Sequence, residues 1–284
     1  TILSRCLHFK LASATNSVIT KHLENILTQE NVKYDSTSLD VIAENASGSI
    51  RDSLSIAEQC ISFCNGNLEI TKDQVKNEAK LEDLVTKIVS SNKFPIGIGG
   101  EHSMTPAAVR AVQSKYPNLA VVILDAHLDF RKEYEGNPLS HATVTRRVSE
   151  IVGIEKVRPV GIRSVSQSEI SEARSVGLNF LESGWTELRE YLSDVIEDLE
   201  GPIYLSLDMD AVDPAFAPGV GTPEPLGMTP YEVIQTVNFF ADRIVGFDCV
   251  EVCPPHDNGN TSALAARLIR HLAGAVWQSQ QRFK

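Results

Sequence analysis

The sequence has little positive charge for its size. Its 284 residues include 26 lysines and arginines against 37 aspartates and glutamates, which gives a formal net charge of -11. An acidic surface repels phosphate backbones, so the composition argues against nucleic-acid binding by the chain as a whole. It favours cationic ligands, among them metal ions.

The sequence also lacks long apolar runs and a cysteine framework. No apolar stretch is long enough to cross a bilayer, and the first ten residues lack the basic start and apolar core of a signal peptide. The five cysteines are an odd number without regular spacing, which predicts free thiols in a reducing cytoplasm. With 42% hydrophobic residues, the chain still has enough apolar side chains for a sizeable core.

Residues 1–77 are predicted to form a small, all-helical segment. Ile19, Leu23 and Leu27 recur every four residues, as expected for one face of a helix. Further helices are predicted over residues 39–46 and 50–63. The segment contains no glycine-rich loop of the kind that binds phosphate groups.

Residues 78–284 are predicted to form a three-layer αβα domain with a mostly parallel sheet. Short apolar runs alternate with amphipathic segments, which is typical of right-handed β-α-β units. The predicted strands cover residues 94–98, 119–124, 157–162, 178–181, 203–207 and 244–250. The predicted helices cover residues 81–90, 106–113, 187–199, 230–240 and 263–272. Ligands bind beyond the carboxyl ends of strands in such sheets, so polar residues there are candidate site residues.

Three polar sets directly follow predicted strands and together contain two histidines and four aspartates. The six candidate ligands are His102, Asp125, His127, Asp129, Asp208 and Asp210. Because alternate residues of an extended segment point the same way, each Asp-x-His-x-Asp or Asp-x-Asp pattern is expected to line one wall. Two divalent ions that share carboxylates need about this many ligands. Imidazole and carboxylate without cysteine suit Mn²⁺ and, less exclusively, Zn, Co or Fe.

Taken one at a time, these patterns have simpler explanations. An Asp-x-Asp pair is usually a turn or a solvated strand end, and a histidine after two glycines is more often a cap or a packing residue. Three polar groups at the end of one buried strand are harder to explain, because unpaired polar groups there are costly. The three sets together favour a metal centre.

From residue 78 onward, the chain resembles the ureohydrolase family, which includes arginases and agmatinases. The matching segments occur in the family's order: residues 99–103 (GGEHS), 124–129 (LDAHLD), 206–214 (SLDMDAVDP), 217–223 (APGVGTP) and 250–254 (VEVCP). The resemblance implies the ureohydrolase fold, here without its first strands. It also implies a hydrolase with two Mn²⁺ ions per chain.

The resemblance distributes the six candidate ligands between the two ions. One Mn²⁺ would be held by His102, Asp125, Asp129 and Asp208. The other would be held by Asp125, His127, Asp208 and Asp210. Asp125 and Asp208 would therefore bridge the two ions.

The resemblance further implies two catalytic groups, and the chemistry of the expected reaction adds Asp129 as a third. His141 matches the family's proton-shuttle histidine, a role suited to a side chain whose pKa is near neutrality. Glu251 matches the carboxylate that pairs with the guanidinium group of the substrate. Asp129 is expected to orient the attacking hydroxide. Without the resemblance, His141 and Glu251 also fit an ordinary loop histidine and an ordinary strand-end carboxylate.

The loop at residues 130–141 resembles that of agmatinases more than that of arginases. Polar side chains that would grip the α-carboxylate and α-amine of arginine are not evident there. The expected substrate is a small cationic guanidinium compound, with agmatine, cleaved to putrescine and urea, as the first choice. Glu133 and Glu135 add negative charge that suits a cationic amine, although a solvated acidic loop explains them equally well.

The first 77 residues resemble the lid-domain region of the bacterial DNA polymerase III gamma/tau clamp-loader subunit. Residues 1–6 (TILSRC) and 48–55 (GSIRDSLS) carry the match. By resemblance, Arg5 would be an arginine finger and Arg51 a nucleotide sensor. Since no Walker A loop is present, the segment alone is not expected to hydrolyse ATP.

Two functions from different classes are open at this point. The first is a cytoplasmic, manganese-dependent, agmatinase-like hydrolase. The second is a catalytically impaired, truncated or chimeric scaffold whose helical segment docks to a clamp-loader-type assembly. For the hydrolase, the resemblance implies a homo-oligomer, either a trimer or a hexamer, and neither a membrane nor a nucleic acid is an expected partner.

Overall fold

The computed structural model describes residues 14–30, 32–46, 50, 53–54, 57, 69–70, 77–134, 136–182 and 199–282. Within the chain, Thr1–Asn77 and Glu78–Lys284 form two compact units. Several predictions fall outside the described residues: most of the helices at 50–63 and 187–199, and the side chains of Arg5, Arg51 and Glu135.

The first unit contains helix α1 (Asn16–Gln29) and helix α2 (Ser36–Asn45). The apolar face of α1, Ile19, Leu23 and Leu27, is buried in the core of this unit, as its four-residue spacing predicts. Apolar residues of α2 complete this core.

The first unit is not entirely helical. Strand β1 (Lys33–Tyr34) pairs in parallel with strand β2 (Glu69–Ile70). The prediction of an all-helical segment is wrong in this detail. Strands of two residues are too short to produce a periodic pattern in a sequence.

The second unit is built on a six-stranded sheet in which every neighbouring pair of strands is parallel. Its strands are β3 (Ile96–Ile98), β4 (Ala120–Leu124), β5 (Val157–Ile162), β6 (Leu181–Glu182), β7 (Ile203–Asp208) and β8 (Ile244–Val250). Their order across the sheet is β3-β8-β7-β4-β5-β6. The predicted parallel α/β fold is confirmed.

Six α-helices precede, connect or follow these strands in the described part of the chain. They are α3 (Asn77–Ser90), α4 (Thr105–Lys115), α5 (Val144–Val152), α6 (Gln167–Ser175), α7 (Pro230–Phe240) and α8 (Asn260–Arg282). Among the helices that the structure describes, none is long and apolar enough to cross a membrane.

The central strand β4 separates two apolar cores. Val122 and Leu124 point into one core together with residues of α7 and α8. Val121 and Ile123 point into the other, together with residues of α3, α4 and α5. Because every residue of β4 is buried, its sequence is apolar throughout instead of alternating. The two cores give the three layers of the fold.

Helices α5 and α6 were not predicted, and β6 was only partly predicted. Helix α5 (VTRRVSEIV) is rich in β-branched residues, which have low helix propensity. Helix α6 (QSEISEARS) has few apolar residues to mark its buried face. The strand predicted at 178–181 is displaced, because Leu178 packs into a core and β6 begins at Leu181.

The start of α7 is stabilised by a capping box. The Thr229 hydroxyl accepts a hydrogen bond from the Glu232 backbone N–H at 3.3 Å, and the Glu232 carboxylate accepts one from the Thr229 N–H at 2.8 Å. We expect Thr229→Ala to lower the free energy of unfolding by about 1 kcal/mol, measured by urea denaturation. The matched variant Glu232→Gln keeps a hydrogen-bond acceptor, so its free energy of unfolding should fall by less. Equal losses in the two variants would contradict this account of the cap.

Candidate metal centre

The candidate side chains lie at one edge of the sheet, where neighbouring parallel strands end. His102 opens a short turn after β3, Asp125 follows β4 directly, Asp208 is the last residue of β7, and Glu251 follows β8. These four strands are consecutive in the sheet. Residues that are far apart in the sequence therefore meet at the carboxyl edge, as the position of sites in parallel sheets predicts.

The first cluster is centred on His102. Its imidazole Nδ1 lies 3.2 Å from Asp125 Oδ2, 3.5 Å from Asp129 Oδ2 and 3.2 Å from Asp208 Oδ2. The His102 side chain is only 1% exposed, and all three aspartates are buried. One imidazole nitrogen thus faces three buried carboxylates.

The second cluster is centred on His127. Its Nδ1 lies 3.0 Å from Asp210 Oδ2 and 3.6 Å from Asp125 Oδ1. Asp125 is therefore common to both clusters and offers one oxygen to each. Thr222 also donates a hydrogen bond to Asp210 Oδ2 at 3.2 Å, so the loop at residues 217–223 contacts this side of the site.

The structure brings the six candidate ligands together. Their side chains are not aligned by alternation along an extended segment, which was the prediction. Strand β4 ends at Leu124, and Asp129 has a left-handed φ of 50°, so simple alternation along an extended segment does not align the Asp-x-His-x-Asp side chains. Asp210 lies in a single turn of 3₁₀-helix. Its backbone N–H donates a hydrogen bond to Asp208 Oδ1 at 2.9 Å. Turns that follow the strands orient these side chains.

The electrostatics of the two clusters favour bound positive charge. Burial disfavours the charged form of His127, yet Asp125 and Asp210 outweigh it and raise the pKa of His127 to about 11. Burial and the charge of Asp125 raise the pKa of Asp129 to about 7, and burial also raises the pKa of Asp208 well above its usual range. Carboxylates crowded in this way repel one another, and a bound cation relieves that repulsion.

Two polar atoms in the first cluster fit a bound cation. His102 Nδ1 and Asp125 Oδ2 are both buried, and neither makes a hydrogen bond within the described part of the chain. Unpaired buried polar atoms are rare and call for an explanation such as an ion. The groups His102, Asp125, Asp129 and Asp125, His127, Asp210 each bring three possible ligand atoms within 4.8 Å of one another. These residues therefore fit a pair of metal ions.

Glu251 lies beside the first cluster. Its Oε1 accepts a hydrogen bond from the backbone N–H of His102 at 2.7 Å, which orients the carboxylate. Its left-handed φ of 62° is rare for a residue with a side chain, and such strain is concentrated at functional sites. Burial and the nearby charge of Glu101 raise the pKa of Glu251 to about 7.

His141 lies opposite Glu101, a site residue that was not predicted. His141 Nδ1 is 3.4 Å from Glu101 Oε1, and the His141 side chain is 48% exposed. The adjacent carboxylate raises the pKa of His141 to about 9, against the effect of burial. Glu101 stands within the Gly-Gly-Glu-His-Ser segment, next to a predicted ligand. That position was the only feature of the sequence that could have identified Glu101 as a site residue. Glu133, by contrast, is simply exposed.

Comparison with known proteins agrees with this geometry. The protein-family model described as the arginase family matches residues 36–274 of the chain. An agmatinase of Bacillus anthracis is 40% identical over 197 residues, which cover 68% of this chain and 67% of that protein. The N(1)-aminopropylagmatine ureohydrolase of Thermococcus kodakarensis is 34% identical, with 78% and 76% covered.

A solved structure is similar to this chain, and the alignment runs over nearly the whole length of both. The agmatine ureohydrolase of Thermoplasma volcanium superimposes with a TM-score of 0.68 at 30% identity, and the alignment covers 99% of each chain. None of these comparisons bears on the clamp-loader resemblance of the first unit, which stays a prediction. The chain therefore belongs to the arginase family, as an agmatinase-like hydrolase.

Proposed function

We propose that this protein hydrolyses agmatine to putrescine and urea at a binuclear manganese centre. The observation that carries the proposal is the pair of ligand clusters that share Asp125, with Glu251 and His141 beside them. Two of the similar proteins act on agmatine or an aminopropyl derivative of it, as their names state. Both substrates present a guanidinium group on a cationic chain, which matches the acidic character of this site.

The donor set supports manganese as the metal. Imidazole nitrogens and carboxylate oxygens surround both positions, and no cysteine is among the described ligand groups. One ion is assigned to His102, Asp125, Asp129 and Asp208, and the other to Asp125, His127, Asp208 and Asp210. When bound, such an ion pair supplies the Lewis acidity that lowers the pKa of a water molecule towards neutrality.

Glu251 is proposed to orient the guanidinium group of the substrate. A planar carboxylate accepts charge-assisted hydrogen bonds from two guanidinium N–H groups. The hydrogen bond from the His102 N–H fixes the Glu251 side chain relative to the first cluster, so a bound guanidinium is held at a defined position beside the ligands. A cationic substrate also favours the ionised form of Glu251.

The remaining catalytic roles are assigned to Asp129 and His141. Asp129 stands in the first cluster, where its second oxygen can accept a hydrogen bond from the attacking water and orient it. His141 is proposed to protonate the leaving amine. Glu101 holds a proton on the His141 ring, and the half-exposed position of the ring allows exchange of that proton with solvent.

The scaffold alternative has less support. Membership of a hydrolase family and the close grouping of all six predicted ligands both favour an enzyme. Metal analysis of the purified protein separates the two functions, because about two Mn²⁺ per chain fits the enzyme and none fits the scaffold. A cytoplasmic location and a trimeric or hexameric assembly stay predictions from the sequence.

Substrate preference provides a direct test. We expect a higher kcat/KM for agmatine than for arginine, because the loop at residues 130–141 shows no evident grip for an α-carboxylate and the acidic chain repels one. The measurement is urea release from the two compounds under the same conditions, with N(1)-aminopropylagmatine as a third substrate. A tenfold preference for arginine would exclude agmatine as the substrate while leaving the family assignment intact.

A further inference from the structure

A buried hydrogen-bonded chain lies behind His102, on the side away from the carboxylate ligands. At its centre is Asp248, in strand β8, which is 5% exposed and is not among the candidate ligands. Its Oδ2 accepts hydrogen bonds from the Tyr204 hydroxyl at 2.7 Å and the Thr105 hydroxyl at 2.9 Å. Its Oδ1 accepts one from the Ser206 hydroxyl at 2.6 Å. Ser206 Oγ in turn lies 3.1 Å from His102 Nε2.

The order of protons along this chain follows from the chemistry of its members. Ser206 has a single hydroxyl proton and donates it in the hydrogen bond to Asp248 Oδ1. The lone pairs of Ser206 Oγ then face His102, and the 3.1 Å contact requires a proton on His102 Nε2. A neutral imidazole with a proton on Nε2 has its lone pair on Nδ1, the atom that faces Asp125, Asp129 and Asp208.

We propose that Asp248 is a positioning residue for the metal centre: through Ser206 it holds His102 in the tautomer and ring orientation that present Nδ1 to one of the two ions. The inference rests on the proposed function, since it assumes that these ligands bind Mn²⁺. Partners behind a ligating histidine fix its tautomer and strengthen its binding, and their loss typically weakens metal affinity about 10- to 100-fold.

The geometry limits this effect to one ion. Among the candidate ligands in the described part of the chain, the Asp248 chain reaches His102, whereas His127, which serves the other ion, contacts Asp125, Asp210 and Glu224. Burying a carboxylate is unfavourable unless it is fully hydrogen-bonded, and the three donated hydroxyl groups satisfy Asp248. One of these three hydrogen bonds, from the Ser206 hydroxyl to Asp248 Oδ1, links the carboxylate to His102.

The test is Mn²⁺ titration of the metal-stripped full-length protein, with electron paramagnetic resonance to distinguish a coupled ion pair from a single ion. Asp248→Asn keeps the shape of the side chain but places an amide donor among the three hydroxyl groups. We expect the ion held by His102 to bind about 10- to 100-fold more weakly and the other to bind nearly as before. Half-loaded protein should then show the signal of an isolated Mn²⁺.

Two further variants keep the test decisive. Ser206→Ala removes the link itself and should give the same selective loss, even if Asp248→Asn fails to fold. Tyr204→Phe removes a donor from Oδ2 but leaves the bond between Ser206 and Oδ1, so its effect should be clearly smaller. Unchanged affinities in Asp248→Asn and Ser206→Ala would overturn the inference. Equal weakening of both ions with a lower unfolding temperature would also overturn it, because that pattern indicates a packing defect. An unmodified protein that binds no Mn²⁺ would instead refute the proposed function.

Discussion

Replacing Asp125 with asparagine is expected to reduce hydrolysis at least a thousandfold and to leave at most one Mn²⁺ per chain. Asp125 belongs to both ligand clusters, with Oδ2 3.2 Å from His102 and Oδ1 3.6 Å from His127. The substitution removes one negative charge and one anionic oxygen from a buried site. Losing several kcal/mol of charge stabilisation corresponds to roughly a thousandfold in rate. Metal analysis after dialysis and urea release from agmatine are the two measurements.

Asp242→Asn provides the matched control. It makes the same chemical change on an exposed residue that follows α7, outside the clusters, so metal content and rate should both stay at the level of the unmodified protein. If Asp125→Asn instead retained two ions and the full rate, Asp125 would not be a shared ligand and the proposed centre would be wrong.

Several strands and helices were predictable because their local sequence patterns agree with the way these elements are buried in the fold. Strands β5 and β8 and helix α7 have the predicted limits. In α7, a capping box and a proline at the first position mark the start, so the chain itself specifies where the helix begins. In β4, an uninterrupted apolar run reflects burial on both faces.

The elements that were missed depend on their surroundings. Helix α5 forms from a segment with five β-branched residues, and its Val144 and Val148 are fully buried against the neighbouring helices and strands. Packing of this kind outweighs a low helix propensity, and the local sequence pattern does not reveal it. The same holds for β1 and β2, which exist only because they pair with each other.

The grouping of the candidate ligands was predictable from the sequence, whereas the residues that support them were not. The six candidate ligands occur in dense polar patterns at strand ends, and such patterns contrast sharply with the apolar strands before them. Glu101 and Asp248 are single acidic residues without any distinctive spacing. Their partners, His141 and Ser206, lie about 40 residues away in sequence, so only the folded chain reveals what each carboxylate does.

Replacing His141 with asparagine is expected to lower kcat about a hundredfold or more while leaving metal content unchanged. A positioned general acid contributes roughly 10²- to 10⁴-fold to a rate. The neighbouring Glu101 carboxylate, 3.4 Å away, raises the pKa of His141 to about 9, so the ring carries a proton at neutral pH and can deliver it to the leaving amine. Because His141 is not a ligand, metal analysis of the variant should still give about two Mn²⁺ per chain. Loss of metal in this variant would contradict the assigned role.

Glu101→Gln tests the same role through the pH dependence of kcat. His141 is protonated below its pKa, so an acid with a pKa of about 9 should support the reaction up to about pH 9. Removing the Glu101 charge should lower that pKa towards the ordinary value of 6.5, and the alkaline limb of the profile should move to lower pH. At pH 8, the variant should then be slowed more than at pH 6, whereas Glu200→Gln, at an exposed position, should keep the original profile. An alkaline limb that stays in place in Glu101→Gln would show that His141 is not the group whose proton the reaction uses, and the leaving amine would have to receive its proton from another donor.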